Sequence, residues 1–158
     1  MGTFDGIGGV SVSKGGAYFK QGKYSVDILA VKRVMSKVGN KEYFVIETKV
    51  RSSNNPEVPV GADRSQVIDM SNVMGLPNVK GFIAAVSGVD PNVDTINDDV
   101  EKYWTGILGS FTAFPVVCEL VISANNPLEG VSMDLECVEI KKKDGEPFTK
   151  HNWFPRQF

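Results

Sequence analysis

The stretch KYSVDILAVKRVM, residues 23–35, is rich in apolar and β-branched residues and predicts a long β-strand. Its alternation changes phase partway along. Tyr24, Val26 and Ile28 share one face, whereas Leu29 and Val31 share the other. Such a change of phase indicates a bend or a bulge, because an extra residue shifts every later side chain to the opposite face. We therefore expect this strand to bend and to serve two sheets of a small β-barrel.

The segment that follows completes a predicted hairpin. Gly39 and Asn40 favour a tight turn, and the segment EYFVIETKVRS, residues 42–52, then alternates regularly. The expected core face consists of Phe44, Ile46, Thr48 and Val50. The opposite face, which we expect to meet solvent or a ligand, consists of Tyr43, Val45, Glu47, Lys49 and Arg51.

The rest of the chain predicts a short third strand at residues 64–72, helices at residues 78–88 and 94–110, and strands at residues 116–123 and 131–141. An extended segment at residues 147–155 follows. Thr95 and Asp98 have the spacing of a capping box for the second helix. The buried stripe of that helix is predicted to be Val100, Tyr103, Trp104, Ile107 and Leu108.

This order of elements predicts a mostly β fold with two helices. Three strands, a helical insert and two closing strands are the order of the oligonucleotide/oligosaccharide-binding (OB) barrel. We therefore expect an OB-fold-like five-stranded antiparallel barrel with the helical insert between strands 3 and 4. A parallel α/β fold would need alternating strands and helices, which the chain lacks. Residues 1–22, rich in Gly and Ser, are expected to form a flexible arm, and residues 23–158 a single OB-like domain.

Composition excludes several classes of protein. No window approaches the roughly 18 uncharged apolar residues of a membrane helix, and the first residues lack the pattern of a secretory signal, so a cytoplasmic protein is expected. Cys118 and Cys137 lie in apolar runs and are predicted to be reduced core residues. The glycines of residues 1–22 form neither a phosphate-binding loop nor a dinucleotide-binding pattern, and no cofactor is predicted.

The net charge of −2 conceals an uneven distribution. Residues 1–52 hold nine Lys and Arg against four Asp and Glu (+5), residues 53–137 hold three against twelve (−9), and residues 138–158 hold five against three (+2). Because a ligand meets the local field, an overall acidic chain can still present a basic surface to an anion.

The acidic middle raises the question of a metal site. Asp90, Asn92, Asp94, Asp98 and Glu101 fall on ligand positions of an EF-hand loop. Thr95, however, occupies the position where that loop requires glycine, and an acidic helix start explains the carboxylates more simply. We therefore predict no metal site. A metal-dependent enzyme built on this segment is the weakest of the alternatives.

No catalytic residues are predicted, because the single histidine, His151, has no nucleophile motif near it in the sequence. The chain is therefore expected not to be an enzyme. Around the first hairpin, by contrast, cations and aromatics are interleaved as in surfaces that hold single-stranded nucleic acid. The predicted nucleic-acid-binding residues are Lys32, Arg33, Lys37, Lys41, Tyr43, Lys49, Arg51, Lys150 and Trp153. The competing interpretation is an edge hairpin that its lysines protect from aggregation.

Four runs of the sequence together resemble a known family. They are YFKQGKYSVDILAVKRVMSKVGNKEYFVIETKVRSS, VPVGADRSQVIDM, NVKGFIAAVSG and GEPFTKHNWFP, within residues 15–155. They are similar to the OB-fold single-stranded DNA-binding proteins of tailed bacteriophages. The resemblance rests on glycines, aromatics and strand spacing, with no single diagnostic motif.

The resemblance implies a protein that coats single-stranded DNA without sequence preference during phage DNA replication or recombination, in the cytoplasm of the host cell. It implies replication or recombination proteins as further partners and leaves a homo-oligomer open. The alternative, from a different class, is a phage structural or assembly protein that uses a small β-barrel for protein–protein contacts.

Overall fold

The computed structural model describes residues 18–36, 40–122, 128–141, 145 and 147–157. Lys37, one of the predicted site residues, lies outside these ranges. The strands are β1 (Gly22–Met35), β2 (Glu42–Ser53), β3 (Asp63–Asp69), β4 (Ser132–Lys141) and β5 (Pro147–Trp153). The helices are α1 (Gly75–Val86), α2 (Ile96–Leu108) and α3 (Phe114–Val121), all between β3 and β4. None of the helices in the described ranges is long and apolar enough to span a membrane.

The five strands form one antiparallel sheet in the order β3-β2-β1-β4-β5. The prediction of a mostly β fold with five antiparallel strands is therefore confirmed. Within the described ranges the sheet is open, with β3 and β5 at its edges, so the closed barrel is not observed there. β1 lies at the centre because it pairs with β2 over almost its whole length and with β4 over residues 22–27.

The predicted bend in β1 is present. The register between β1 and β2 shifts between Ile28 and Ala30, so Leu29 is the extra residue of a bulge. Leu29 is accordingly exposed, whereas Ile28 and Val31 are buried on either side of it. A second shift, between Ser25 and Val26, leaves Arg51 of β2 without a directly opposite residue. The phase change in the sequence therefore located the bulge at Leu29, but the predicted grouping of Leu29 with Val31 on one face is wrong, because Leu29 is exposed and Val31 is buried.

The helical insert differs from the prediction in number and placement. Three helices are present among the described residues of the insert, and residues 116–121 of the predicted strand 116–123 belong to α3. Pro115 stands in the first turn of this helix, where proline is tolerated. The buried residues Val117 and Val121 are four apart, so a short apolar run that fits a strand also supplies one face of a helix.

Two details of α2 also depart from expectation. Thr95 is the N-cap residue, but its hydroxyl donates to Oδ2 of Asp99 at 2.7 Å and makes no capping bond, so the capping box is wrong. Val100 and Trp104 are buried as predicted, whereas Ile107 and Leu108 are exposed at the end of the helix. The indole N–H of Trp104 donates to the Ser87 hydroxyl at 2.9 Å, which joins α2 to the end of α1.

The core lies between the sheet and α1. The ring of Phe82 on α1 packs edge-on against Phe44 of β2 and Trp153 of β5, with centroid distances of 6.3 and 5.0 Å. Residues 18–21, the described end of the expected arm, also pack on the sheet. Phe19 is buried and its ring lies 5.8 Å from that of His151 on β5. Tyr18 forms a parallel bridge with Ser65 of β3.

Candidate nucleic-acid interface

The side of β1, β2 and β3 turned away from α1 forms a continuous surface, here called the outer face. Cross-strand partners in a sheet project to the same side, so the register assigns residues to this face. Phe44 contacts α1, so its neighbours Tyr43 and Val45 belong to the opposite side. By register the outer face consists of Asp27, Ala30, Lys32, Val34, Tyr43, Val45, Glu47, Lys49, Asp63, Ser65, Val67 and Asp69.

The predicted division of β2 into two faces is confirmed. Phe44, Ile46, Thr48 and Val50 are all buried, whereas Lys49 and Arg51 are exposed and Tyr43 and Glu47 are half-buried. Val45 is the exception among the outer residues of β2, because it is buried, as is Val34 of β1 on the same face. The buried Thr48 has its hydroxyl satisfied, since it donates to the Arg64 carbonyl oxygen at 2.7 Å.

Two tyrosines lie on the outer face. Tyr43 is flanked by Val34 of β1 and Asp69 of β3. Tyr18 joins the face through its bridge to Ser65, and burial together with the nearby Tyr43 raises the pKa of its hydroxyl. Val45 of β2 and Val67 of β3 are directly opposite each other. Along the strands they lie between Tyr43 and Ser65. The arrangement is a small apolar and aromatic platform, and half-buried aromatic rings of this kind can stack on bases.

Tyr18 was missed from the sequence because residues 1–22 were expected to form a loose arm. A signal was available: the aromatic residues Tyr18 and Phe19 come shortly before the first strand. Aromatic residues in a Gly- and Ser-rich segment indicate that its end packs on the domain, because such side chains gain most from burial.

Four of the predicted cations surround this platform, and each has a carboxylate within 4 Å. The pairs are Lys32–Glu47 at 2.7 Å, Lys41–Asp69 at 3.8 Å, Lys49–Asp63 at 3.7 Å and Arg51–Asp27 at 3.6 Å. Every cation of the four is about half exposed, so a ligand can reach it. Exposed pairs of this kind are worth only about 0–1 kcal/mol each, so a phosphate can compete for the cation.

The carboxylates of two pairs are also held by hydroxyl groups. Ser132 donates to Oδ1 of Asp27 at 2.7 Å and accepts from the guanidinium of Arg51 at 2.9 Å. Ser71 donates to Oδ1 of Asp69 through its hydroxyl at 2.6 Å and through its backbone N–H at 2.9 Å. The hydroxyl bond of Ser71 is the main reason that the pKa of Asp69 is lowered, so this carboxylate stays ionised.

Arg33 lies on the other side of the sheet. It is paired in register with the core residue Phe44, and its guanidinium contacts Glu42 at 3.8 Å and Glu119 on α3. This ion pair stands at the rim of an apolar groove of about 370 Å³ between β2, α1 and α3. The structure therefore does not bring Arg33 together with the four cations of the outer face.

The two predicted residues of β5 are likewise separate from the outer face. Lys150 is exposed and lines a cavity of about 540 Å³ between β5 and α1. Trp153 is only 7% exposed, and its indole N–H donates to Oε1 of Gln66 at 2.8 Å. A ring buried against Phe82 has no open surface for a base, so we leave Trp153 out of the proposed interface.

The structure also places the chain's one histidine directly opposite a cysteine, Cys137 of β4. Burial raises the pKa of Cys137 to about 12 and lowers that of His151 to about 4. A nucleophilic cysteine needs the opposite shifts, towards a thiolate and an imidazolium. This pair is therefore a neutral part of the core. Among the described residues no three His, Cys, Asp or Glu side chains are grouped so as to hold a metal ion.

Comparisons of the chain with protein-family models and with curated proteins find no match. The surface that combines aromatic rings with reachable cations is therefore the feature from which a function can be inferred.

Proposed function

We propose that the protein binds single-stranded DNA on its outer face, without sequence preference and without catalysing a reaction. The observation that carries the proposal is the position of Tyr18 and Tyr43 on one face with Lys32, Lys41, Lys49 and Arg51 around them. Stacking of a base on an aromatic side chain is worth about 1–3 kcal/mol, and cations beside the rings can follow the phosphates. Duplex DNA offers no open base faces to such a platform.

The strand order supports the finer fold that the sequence resemblance implies. A five-stranded barrel requires the two edge strands of this sheet, β3 and β5, to lie side by side. The hydrogen bond from Trp153 to Gln66 joins those two strands. We therefore propose an OB-like barrel that is held together at this junction by side chains. The role in phage DNA replication or recombination is proposed on the resemblance of the sequence.

A titration by fluorescence polarisation tests the proposal. Labelled oligo-dT, a duplex of the same length and single-stranded RNA are titrated with the protein at two salt concentrations. We expect the tightest binding to single strands, weakened as salt rises because phosphate contacts release counterions. Equal binding to the duplex, or no binding at low salt, would overturn the proposal.

A second candidate function is supported by apolar side chains exposed around the helices. Val73 is 88% exposed, Leu76 69% and Phe111 75%. Exposed apolar side chains in quantity are typical of protein–protein contacts, which would suit a phage structural or assembly protein. Self-association that persists at high salt, without binding to oligo-dT, would favour this second function, since apolar contacts are not screened by salt.

A further inference from the structure

We infer that the carboxylates of the outer face, Asp27, Glu47, Asp63 and Asp69, make its binding selective for single-stranded over double-stranded DNA. This inference rests on the proposed function and adds a role for residues that do not attract DNA.

The carboxylates neutralise the face that the cations would otherwise make basic. Four carboxylates stand against the four cations Lys32, Lys41, Lys49 and Arg51, each within 4 Å of its partner. Glu47 is the closest to its cation, at 2.7 Å from Lys32. Asp63 is directly opposite Lys49 in the register of β2 and β3. A polyanion that approaches the platform therefore meets alternating charges and is attracted less strongly than the four cations alone would attract it.

This neutrality affects the two forms of DNA differently. Binding of a duplex to a surface of this kind depends almost wholly on the release of counterions by cations, and a cation that already has a carboxylate contributes less. A single strand loses less, because each of its phosphate contacts contributes a slope of about 0.7 against about 0.9 for the duplex. It also keeps the stacking of its bases on Tyr18 and Tyr43, which the carboxylates do not touch. A repulsive element that weakens one ligand more than the other creates selectivity. The carboxylates thus reject the duplex while the tyrosines retain the single strand.

The test compares the wild type with Glu47→Gln, Asp63→Asn and the double variant, in titrations with oligo-dT and with a duplex of equal length. Both side chains are accessible, 36% and 71% exposed, and their isosteric amides are expected to leave the fold intact, as a melting curve checks. In the double variant, the slope of log affinity against log salt for the duplex should steepen by up to about 1.8. Each of the two released lysines can make one more phosphate contact, and each contact contributes about 0.9 to the slope. At low salt the duplex should gain roughly tenfold in affinity and oligo-dT less, because each single-strand contact carries a slope of only about 0.7, so the selectivity ratio falls.

Glu119→Gln is the matched control, because it removes the same charge from an ion pair on the other side of the sheet. It should leave the selectivity ratio unchanged. The inference is overturned if the double variant keeps the wild-type ratio, or if Glu119→Gln lowers the ratio as much. A wild type that does not prefer oligo-dT overturns the proposed function itself, whatever the variants do.

Discussion

The indole N–H of Trp153 donates a hydrogen bond of 2.8 Å to Oε1 of Gln66, and this bond links β5 to β3 at the two edges of the sheet. Both side chains are buried, so neither group can exchange its partner for bulk water. The bond lies beside the ring of Phe82, which packs on the indole. The junction between the sheet edges therefore depends on a polar contact inside an apolar core.

Gln66→Leu should lower the free energy of unfolding by about 1–3 kcal/mol, because it leaves the indole N–H of Trp153 buried without an acceptor. Urea denaturation followed by tryptophan fluorescence measures the loss. The double variant Gln66→Leu, Trp153→Phe removes both polar groups and should lose less than the sum of the single variants. If the double variant instead loses as much stability as the two single variants together, the hydrogen bond does not stabilise the junction.

Tyr43→Ala should weaken binding of oligo-dT by about 1–3 kcal/mol with little change in its salt dependence, since stacking involves no counterion release. Tyr43→Phe keeps the ring and should bind nearly as well as the wild type. Fluorescence polarisation at several salt concentrations separates the two variants. Phe44→Ala, which truncates a buried ring on the other side of the strand, should instead cost about 3–5 kcal/mol of stability. A Tyr43→Ala variant that melts early but binds normally would contradict the assignment of the outer face.

Stability should fall as the pH drops from 6.5 towards 4, and His151 should cause part of the fall. Its half-buried ring packs edge-on against Phe19, and its buried Nε2 has no hydrogen-bond partner among the described residues. Burial lowers the pKa of His151 to about 4, so the unfolded chain takes up the proton at a higher pH than the folded one. The stabilisation is complete above pH 6.5 and about 2–3 kcal/mol of it is lost by pH 4.5.

Urea denaturation at pH 7.5 and pH 4.5 measures this loss, with His151→Leu as the comparison. The difference in stability between the two pH values should be smaller in the variant, because its side chain cannot be protonated. The contribution of the carboxylates to the pH dependence is the same in both proteins, so it cancels when the two are compared. An identical pH dependence in the two proteins would show that His151 is not the group responsible.

Both thiols should resist alkylation in the folded protein. Burial, with the charge of Glu119 nearby, raises the pKa of Cys118 to about 11, and burial raises that of Cys137 to about 12. Since only the thiolate is nucleophilic, iodoacetamide at pH 8 should modify them at least roughly a hundredfold more slowly than in 6 M guanidinium. Mass spectrometry of timed samples gives both rates. Rapid modification of Cys137 in the native protein would contradict its burial.

Millimolar calcium should leave the melting temperature unchanged. Two carboxylates at the EF-hand-like ligand positions are already engaged: Oε1 of Glu101 accepts from the backbone N–H of Phe114, and Oδ1 of Asp90 accepts from the backbone N–H of Asn92. Without a tight site there is no stabilisation by linkage. A rise of several degrees that a chelator reverses would contradict this expectation.

The strands could be predicted because their faces differ in polarity. The alternation in β2 assigned Phe44 to the core and Lys49 to the surface, and both assignments are confirmed. The phase change in β1 located its bulge near Leu29. The spacing of apolar residues along a strand shows which of its faces is buried. This signal is strongest in a sheet that is covered on one side, because apolar and polar residues then alternate.

Other features depend on contacts between distant segments, which local patterns do not encode. Residues 116–121 suit a strand as well as a helix, and packing of Val117 and Val121 decides for the helix. Trp153 looks in sequence like an exposed aromatic beside Lys150, yet Gln66 and Phe82 hold it in the core. Each cation of the outer face is paired with a carboxylate, and this could not be predicted from the sequence either. Partners such as Lys49 and Asp63 come from different strands.

The central position of β1 has a consequence for the order in which the protein folds. β1 and β2 are close in sequence, but β1 also pairs with β4, and the side chains of Ser25 and Asp134 that bond across this ladder are 109 residues apart. Closing the longer loop costs about 2–3 kcal/mol more chain entropy than closing the hairpin, so the hairpin should form first and β4 should join late. Until then the second edge of β1 has no partner, and an emerging chain that stops before β4 carries an open apolar strand that invites aggregation.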